Sequence, residues 1–148
     1  MRNRIKDLRE DNDMKQKDIA KHLKIKENTY CKWENNSNDI PLEKCNELAN
    51  YYHVTMDYLL GLSNNHLHID KSYNINWNKL TKRLKELRKE YGYTQTFLGE
   101  KVGFHQKTYS NFETGINKPT TFKLLIIAQF YNVSMDYLVG RSDDKNIK

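Results

Sequence analysis

The stretch from Thr94 to Gly115 reads TQTFLGEKVGFHQKTYSNFETG, and its spacing of apolar, small and polar residues fits two short helices joined by a tight turn. Thr94 suits the cap of the first helix through its hydroxyl. Phe97, Leu98 and Val102 supply an inward face at helical spacing, and Gly99 lets a second helix approach closely. Gly103 allows the turn. The second helix is predicted from Gln106 to Glu113, burying Tyr109 and Phe112 while Gln106, Lys107, Ser110 and Asn111 point outward. Such side chains suit base edges and phosphates. The plainer alternative is a polar solvated face, which any surface helix has.

Outward from this stretch the chain repeats itself. Pairing each residue with the one 79 positions later aligns the two halves without a gap. Arg4, Lys6, Leu8 and Arg9 match Arg83, Lys85, Leu87 and Arg88; Gln16 matches Gln95; Thr29, Tyr30 and Glu34 match Thr108, Tyr109 and Glu113. The closing segments agree most closely, YHVTMDYLLG at 52–61 against YNVSMDYLVG at 131–140.

The repeat predicts an all-α chain of two tandem five-helix domains, 1–63 and 77–142, with a linker at 64–76 and a tail at 143–148. The first helix carries Ile5 and Leu8 in one copy, and Trp77, Leu80, Leu84, Leu87 and Tyr91 in the other. In copy one the second and third helices fall at about 16–23 and 27–35. A polar turn with Pro41, or Pro119, leads to a fourth helix carrying Leu48, Ala49 and Tyr52, or Leu124, Ile127, Ala128 and Tyr131. The fifth is the short M-D-Y-L segment. The linker is rich in Asn and has no periodicity. The tail is too short to fold, so regulation is expected to use the two copies themselves.

The net charge of +6 and pI near 9.2 suit a polyanionic partner. Its distribution is uneven: residues 1–66 hold 11 Lys/Arg against 11 Asp/Glu, and residues 67–148 hold 14 against 8. No apolar run approaches the ~20 residues of a bilayer span, and the charged start MRNRIKDLRE is unlike a signal peptide, so a cytoplasmic protein is expected, with no membrane partner. Cys31 and Cys45 are too few and isolated for a disulfide framework. His66, His68 and Asp70 lack a further ligand nearby and read as solvated linker residues, so no metal or cofactor is implied. No catalytic set shows a recognisable spacing, and no enzyme is expected.

The pattern TQ-x-x-L-G-x-x-V-G-x-x-x-x-T-Y-x-x-F-E-x-G resembles the helix-turn-helix of the phage-repressor family, Cro and C1-like, often called Xre. The resemblance implies binding of double-stranded DNA, with the third helix of each copy in the major groove. In copy two it implies contacts by Gln95 with Thr94, by His105, Gln106, Lys107, Ser110 and Asn111, and by Lys118. In copy one the candidates are Gln16, Lys17, Lys26, Glu27, Asn28 and Lys32. It further implies a structural ion pair between the first and third helices, Arg9 with Glu34 and Arg88 with Glu113.

Copy one departs from the pattern: Lys15 replaces the capping Thr94, Asn36 replaces Gly115, and Glu27 and Cys31 stand at groove-facing positions. Copy two is therefore expected to be the principal reader in a transcriptional regulator. The competing reading makes one copy, most plausibly the neutral first, a module for homodimerisation or for a regulatory protein partner. An exposed apolar patch would favour the module, and a basic face the DNA reader.

Overall fold

In the computed structural model, which describes residues 3–148, the helical spacing of the sequence is realised as α-helices with no strand among the described residues. They are α1 (Ile5–Asp11), α2 (Gln16–His22), α3 (Glu27–Glu34), α4 (Leu42–Tyr51), α5 (Met56–Leu59), α6 (Trp77–Glu90), α7 (Gln95–Val102), α8 (Gln106–Thr114), α9 (Thr121–Tyr131) and α10 (Met135–Leu138). The chain divides into two units, the first running to Tyr73 and the second from Asn74 to Ile147. Each contains five helices.

In the second unit, Asn76 starts α6 by accepting the Lys79 amide at 2.9 Å, and Leu80, Leu84 and Leu87 recur along its buried side. Thr94 caps α7 in the same way, accepting from the Phe97 amide at 3.1 Å. The turn into α8 is close: a Cβ on Gly99 would stand 2.8 Å from the Phe104 carbonyl oxygen. Tyr109 and Phe112 of α8 are buried together with Leu98, Leu124, Ile127 and Met135. Helix α8 thus packs on α6 and α7, and α9 closes against α7 and α10.

The first unit builds the same arrangement around Ile5, Ile19, Leu23, Tyr30, Leu48 and Met56. Lys15 offers no capping oxygen at the start of α2; instead its backbone N–H donates to the Asp18 carboxylate at 3.0 Å. Asn36 takes the left-handed conformation with φ 56°, where Gly115 has φ 76°.

Two inward assignments need correction. Phe97 is 38% exposed and Tyr91 50%. Leu98, Gly99 and Val102 fill the inward side of α7, leaving the Phe97 ring against Tyr93, with ring centroids 4.7 Å apart. Tyr91 lies just beyond α6 and turns toward Tyr93 and Tyr131.

The segment expected as a linker is bonded to the first unit as far as Tyr73. Asn46 and Asn50 both donate to the Tyr73 carbonyl at 2.8 Å, the Tyr73 amide donates to Asn50 at 3.1 Å, and Ile69 donates to the His53 carbonyl at 2.8 Å. The tail as far as Ile147 likewise returns to its own unit. Asp143 bonds Lys79 and Arg83, and the Lys145 carbonyl accepts from the Ser134 amide at 2.8 Å.

Candidate nucleic-acid interface

Helix α8 is anchored from within by a charged pair. Arg88 of α6 meets Glu113 through two parallel hydrogen bonds, Nε to Oε1 at 2.6 Å and Nη2 to Oε2 at 3.0 Å. Its Nη1 also donates to the Tyr93 carbonyl at 2.9 Å, so one guanidinium ties the α6–α7 turn to α8. The first unit repeats this: Arg9 bonds Glu34 at 2.6 and 3.2 Å and the Met14 carbonyl at 2.8 Å. The expected ion pairs are present in both copies.

Both glutamate side chains are almost wholly buried. Burial by itself pushes each carboxyl up, but the hydrogen bonds from Arg9 and Gln16, or Arg88 and Gln95, outweigh it and hold both below the usual carboxylate range. The phenol of Tyr109 is pushed far up by burial and next by the nearby Glu113 charge. It remains protonated and donates to the Leu84 carbonyl at 3.2 Å, a further tie from α8 to α6.

Gln95 opens α7 beside this anchor, donating through Nε2 to Glu113 Oε2 at 3.0 Å. Its Oε1 accepts from Gln106 Nε2 at 2.9 Å. Gln16 makes the equivalent inner bond, to Glu34 Oε2 at 2.8 Å. Sequence reasoning identified the ion pairs and the two glutamines separately. It missed that each Gln is bonded to the buried Glu, a pairing for which only its recurrence in both copies offered a signal.

The outward positions of α8 divide in two. Gln106 and Lys107 are exposed, whereas Ser110 and Asn111 are half-buried, with their carbonyls accepting from Thr114 and Asn117 respectively. His105 is the exposed residue preceding α8, and its carbonyl accepts the Tyr109 amide at 3.2 Å. The Thr94 hydroxyl is engaged as the α7 cap. Lys118 places its ammonium 4.2 Å from the centre of the Trp77 ring, at the start of α6.

In the first unit Lys17, Lys26, Glu27, Asn28 and Lys32 are exposed, with Gln16 and Cys31 half-buried. The Cys31 sulfur accepts from Asn35 at 3.6 Å. Among the described residues, the large hydrophobic side chains that remain exposed are Tyr91, Phe97, Ile116, Phe122 and Phe130, all in the second unit. Among the described residues, the apolar feature expected of a protein-binding module therefore falls on the second unit, the one expected to read DNA, and not on the neutral first.

The described residues contain no helix long and apolar enough to cross a membrane. They bring no three His, Cys, Asp or Glu side chains together in a way that could hold a metal ion.

Two helix-turn-helix units, each with its third helix braced by a buried Arg–Glu pair, agree with a family model described as Helix-turn-helix that matches residues 5–59 and 84–138. The chain belongs to this family, the Cro/C1 type. Over 66 residues it is 41% identical to the uncharacterized HTH-type transcriptional regulator YobD of Bacillus subtilis, covering 45% of this chain and 59% of that protein. It is 44% identical over 64 residues to the HTH-type transcriptional regulator ImmR of Bacillus subtilis, covering 43% and 50% of the two. With the cryptic phage CTXphi transcriptional repressor RstR of Vibrio cholerae it shares 33% identity over 69 residues, covering 46% and 62%. The chain thus spans little more than half the length of the curated relatives it matches. No solved structure matches it.

Proposed function

We propose that the chain binds double-stranded DNA in a sequence-dependent way and regulates transcription, with α8 entering the major groove. The observation that carries this reading is the exposed Gln106 and Lys107 at the start of a helix braced by Arg88, Glu113 and Tyr109. Lys107 reaches guanine or phosphate, while Gln106 and Asn111 have the paired donor and acceptor that adenine requires. The basic excess of residues 67–148 favours the second unit as the principal reader. The names of ImmR and RstR support a regulatory role, and that of RstR favours repression.

The test is retention of genomic DNA fragments by the full chain over a salt series. The logarithm of the binding constant should fall linearly with the logarithm of salt concentration as Lys and Arg displace counterions. A flat response, or no fragment retained at low salt, would remove the reading.

A further inference from the structure

Five aromatic rings meet on one side of the second unit, where the turn after α6, the first half of α7 and the end of α9 come together. Tyr93 is at the centre, its ring centroid 5.7 Å from that of Tyr91, 4.7 Å from Phe97 and 5.9 Å from Phe130. Tyr131 backs the cluster, 5.1 Å from both Tyr91 and Phe130. It is buried and Tyr93 is half-buried, whereas Tyr91, Phe97 and Phe130 remain exposed.

The fold does not require these rings. At the same places the first unit has Asn12, Met14, Asp18, Tyr51 and Tyr52, and it builds the same five helices. Two of those residues serve helix ends instead: Asn12 donates to the Leu8 carbonyl at 2.8 Å, and Asp18 accepts the Lys15 amide at 3.0 Å. Exposed aromatic rings that contribute nothing the fold needs belong to a contact surface.

The rim of the cluster decides what covers it. Glu100 and Lys101 are both exposed, and they follow Phe97 on α7 by three and four residues, which places both beside its ring. The Lys101 ammonium lies 5.4 Å from the centre of that ring. Glu90, next to Tyr91 in the chain, is already paired with Lys145 at 2.7 Å. A rim of one acid and one base gives a strongly charged partner no net attraction. It does match a second copy turned about a two-fold axis, where Lys101 of each chain meets Glu100 of the other while the rings pack. In the first unit the same two places hold Lys21 and His22, with no acid.

We propose that two copies of the chain associate through this aromatic face of the second unit, in an isologous contact rimmed by reciprocal Lys101–Glu100 pairs. Each chain keeps its own two helix-turn-helix units, so the contact does not depend on which helix reads DNA.

The experiment is sedimentation velocity of the full chain over a concentration series without DNA, with folding checked by circular dichroism. Wild type should pass from monomer to dimer. Tyr91→Asn and Phe97→Asp install the residues that the first unit already carries, and each should raise the dimer dissociation constant about tenfold or more. Glu100→Lys or Lys101→Glu alone should weaken association about tenfold by facing like charges, and the two together should restore it. A chain that stays monomeric throughout overturns the proposal. So does a dimer indifferent to both ring substitutions, which would be joined elsewhere, and so does growth beyond a dimer, which marks a head-to-tail contact. A combined charge exchange as weak as the single ones would overturn the reciprocal pairing. The exposed charge variants keep the test decisive if a ring variant fails to fold.

Discussion

A Cβ added to Gly99 would stand 2.8 Å from the Phe104 carbonyl oxygen and 3.3 Å from the Gln106 amide nitrogen, both backbone atoms that cannot swing aside. The corresponding residue of the first unit is Ala20, buried at the end of an analogous turn in which the Ile25 amide donates to the Ala20 carbonyl at 3.0 Å. In the second unit, the Phe104 amide reaches the Gly99 carbonyl at 2.7 Å. Gly99→Ala should therefore destabilise the second unit by about 1–3 kcal/mol, the usual cost of overpacking a tight site. Amide hydrogen exchange in α7 and α8 measures this, and unchanged protection would show that the turn relaxes without cost. Differences in exposed chemistry have functional consequences instead. Lys107→Ala should weaken DNA binding for all sequences if it meets phosphate, and Asn111→Ala should cost about 1–3 kcal/mol at one base position if it pairs bidentately. Asn28→Ala and Lys32→Ala should cost less, and titrations of labelled DNA that gave the reverse order would make the first unit the principal reader.

The Arg–Glu pairs join the first helix to the third within each unit, so their chemistry should appear in how the helices hold together. Both carboxyls sit below the usual range. Their stabilisation is complete above pH ~4.3, where an unfolded glutamate is ionised, and is lost as pH falls through the lower folded value. Acid titration followed by circular dichroism should show this loss, and Glu113→Gln should flatten the part due to the second unit. Arg88→Ala should cost on the order of 3 kcal/mol at neutral pH, because it leaves a buried carboxylate uncompensated. Chemical denaturation of the two variants provides the comparison. Most of this was readable in advance: the repeat fixed five helices per copy, and Arg9 with Glu34 stood in register with Arg88 and Glu113. The exposed Phe97 was not readable, since helical spacing does not distinguish the edge of an apolar stripe from its centre. Nor was the binding of residues 64–73 to α4, because Asn side chains that hold a backbone leave no periodic trace. Asn46→Ala combined with Asn50→Ala should release that segment, seen as faster proteolysis between Ser63 and Tyr73 with the helical signal retained.

Two copies in one chain raise the question of what the weaker one contributes. A single unit of this kind offers few base-reading side chains, and helix-turn-helix proteins commonly double them on half-sites about one turn, ~34 Å, apart. Here the halves are unlike: the first unit presents Lys26, Glu27, Asn28 and Lys32 where the second presents His105, Gln106, Lys107 and Asn111. Unlike a symmetric dimer, such a pair suits an asymmetric site whose two parts differ in sequence. Once released from Asn46 and Asn50, residues 64–76 reach at most ~40 Å when extended, and tethering raises avidity ~100-fold or more if both units engage. The expected outcome is therefore a footprint longer than one half-site for the full chain, with stronger base preference on the side read by the second unit. Lys26→Ala combined with Lys32→Ala should shorten the footprint at its weaker end and reduce the salt slope by about two, one for each phosphate that a lysine no longer neutralises. Hydroxyl-radical footprinting across a salt series reads both quantities. If footprint and slope are unchanged by the double substitution, Lys26 and Lys32 do not touch DNA, and the first unit becomes the place to look for dimerisation or a protein partner.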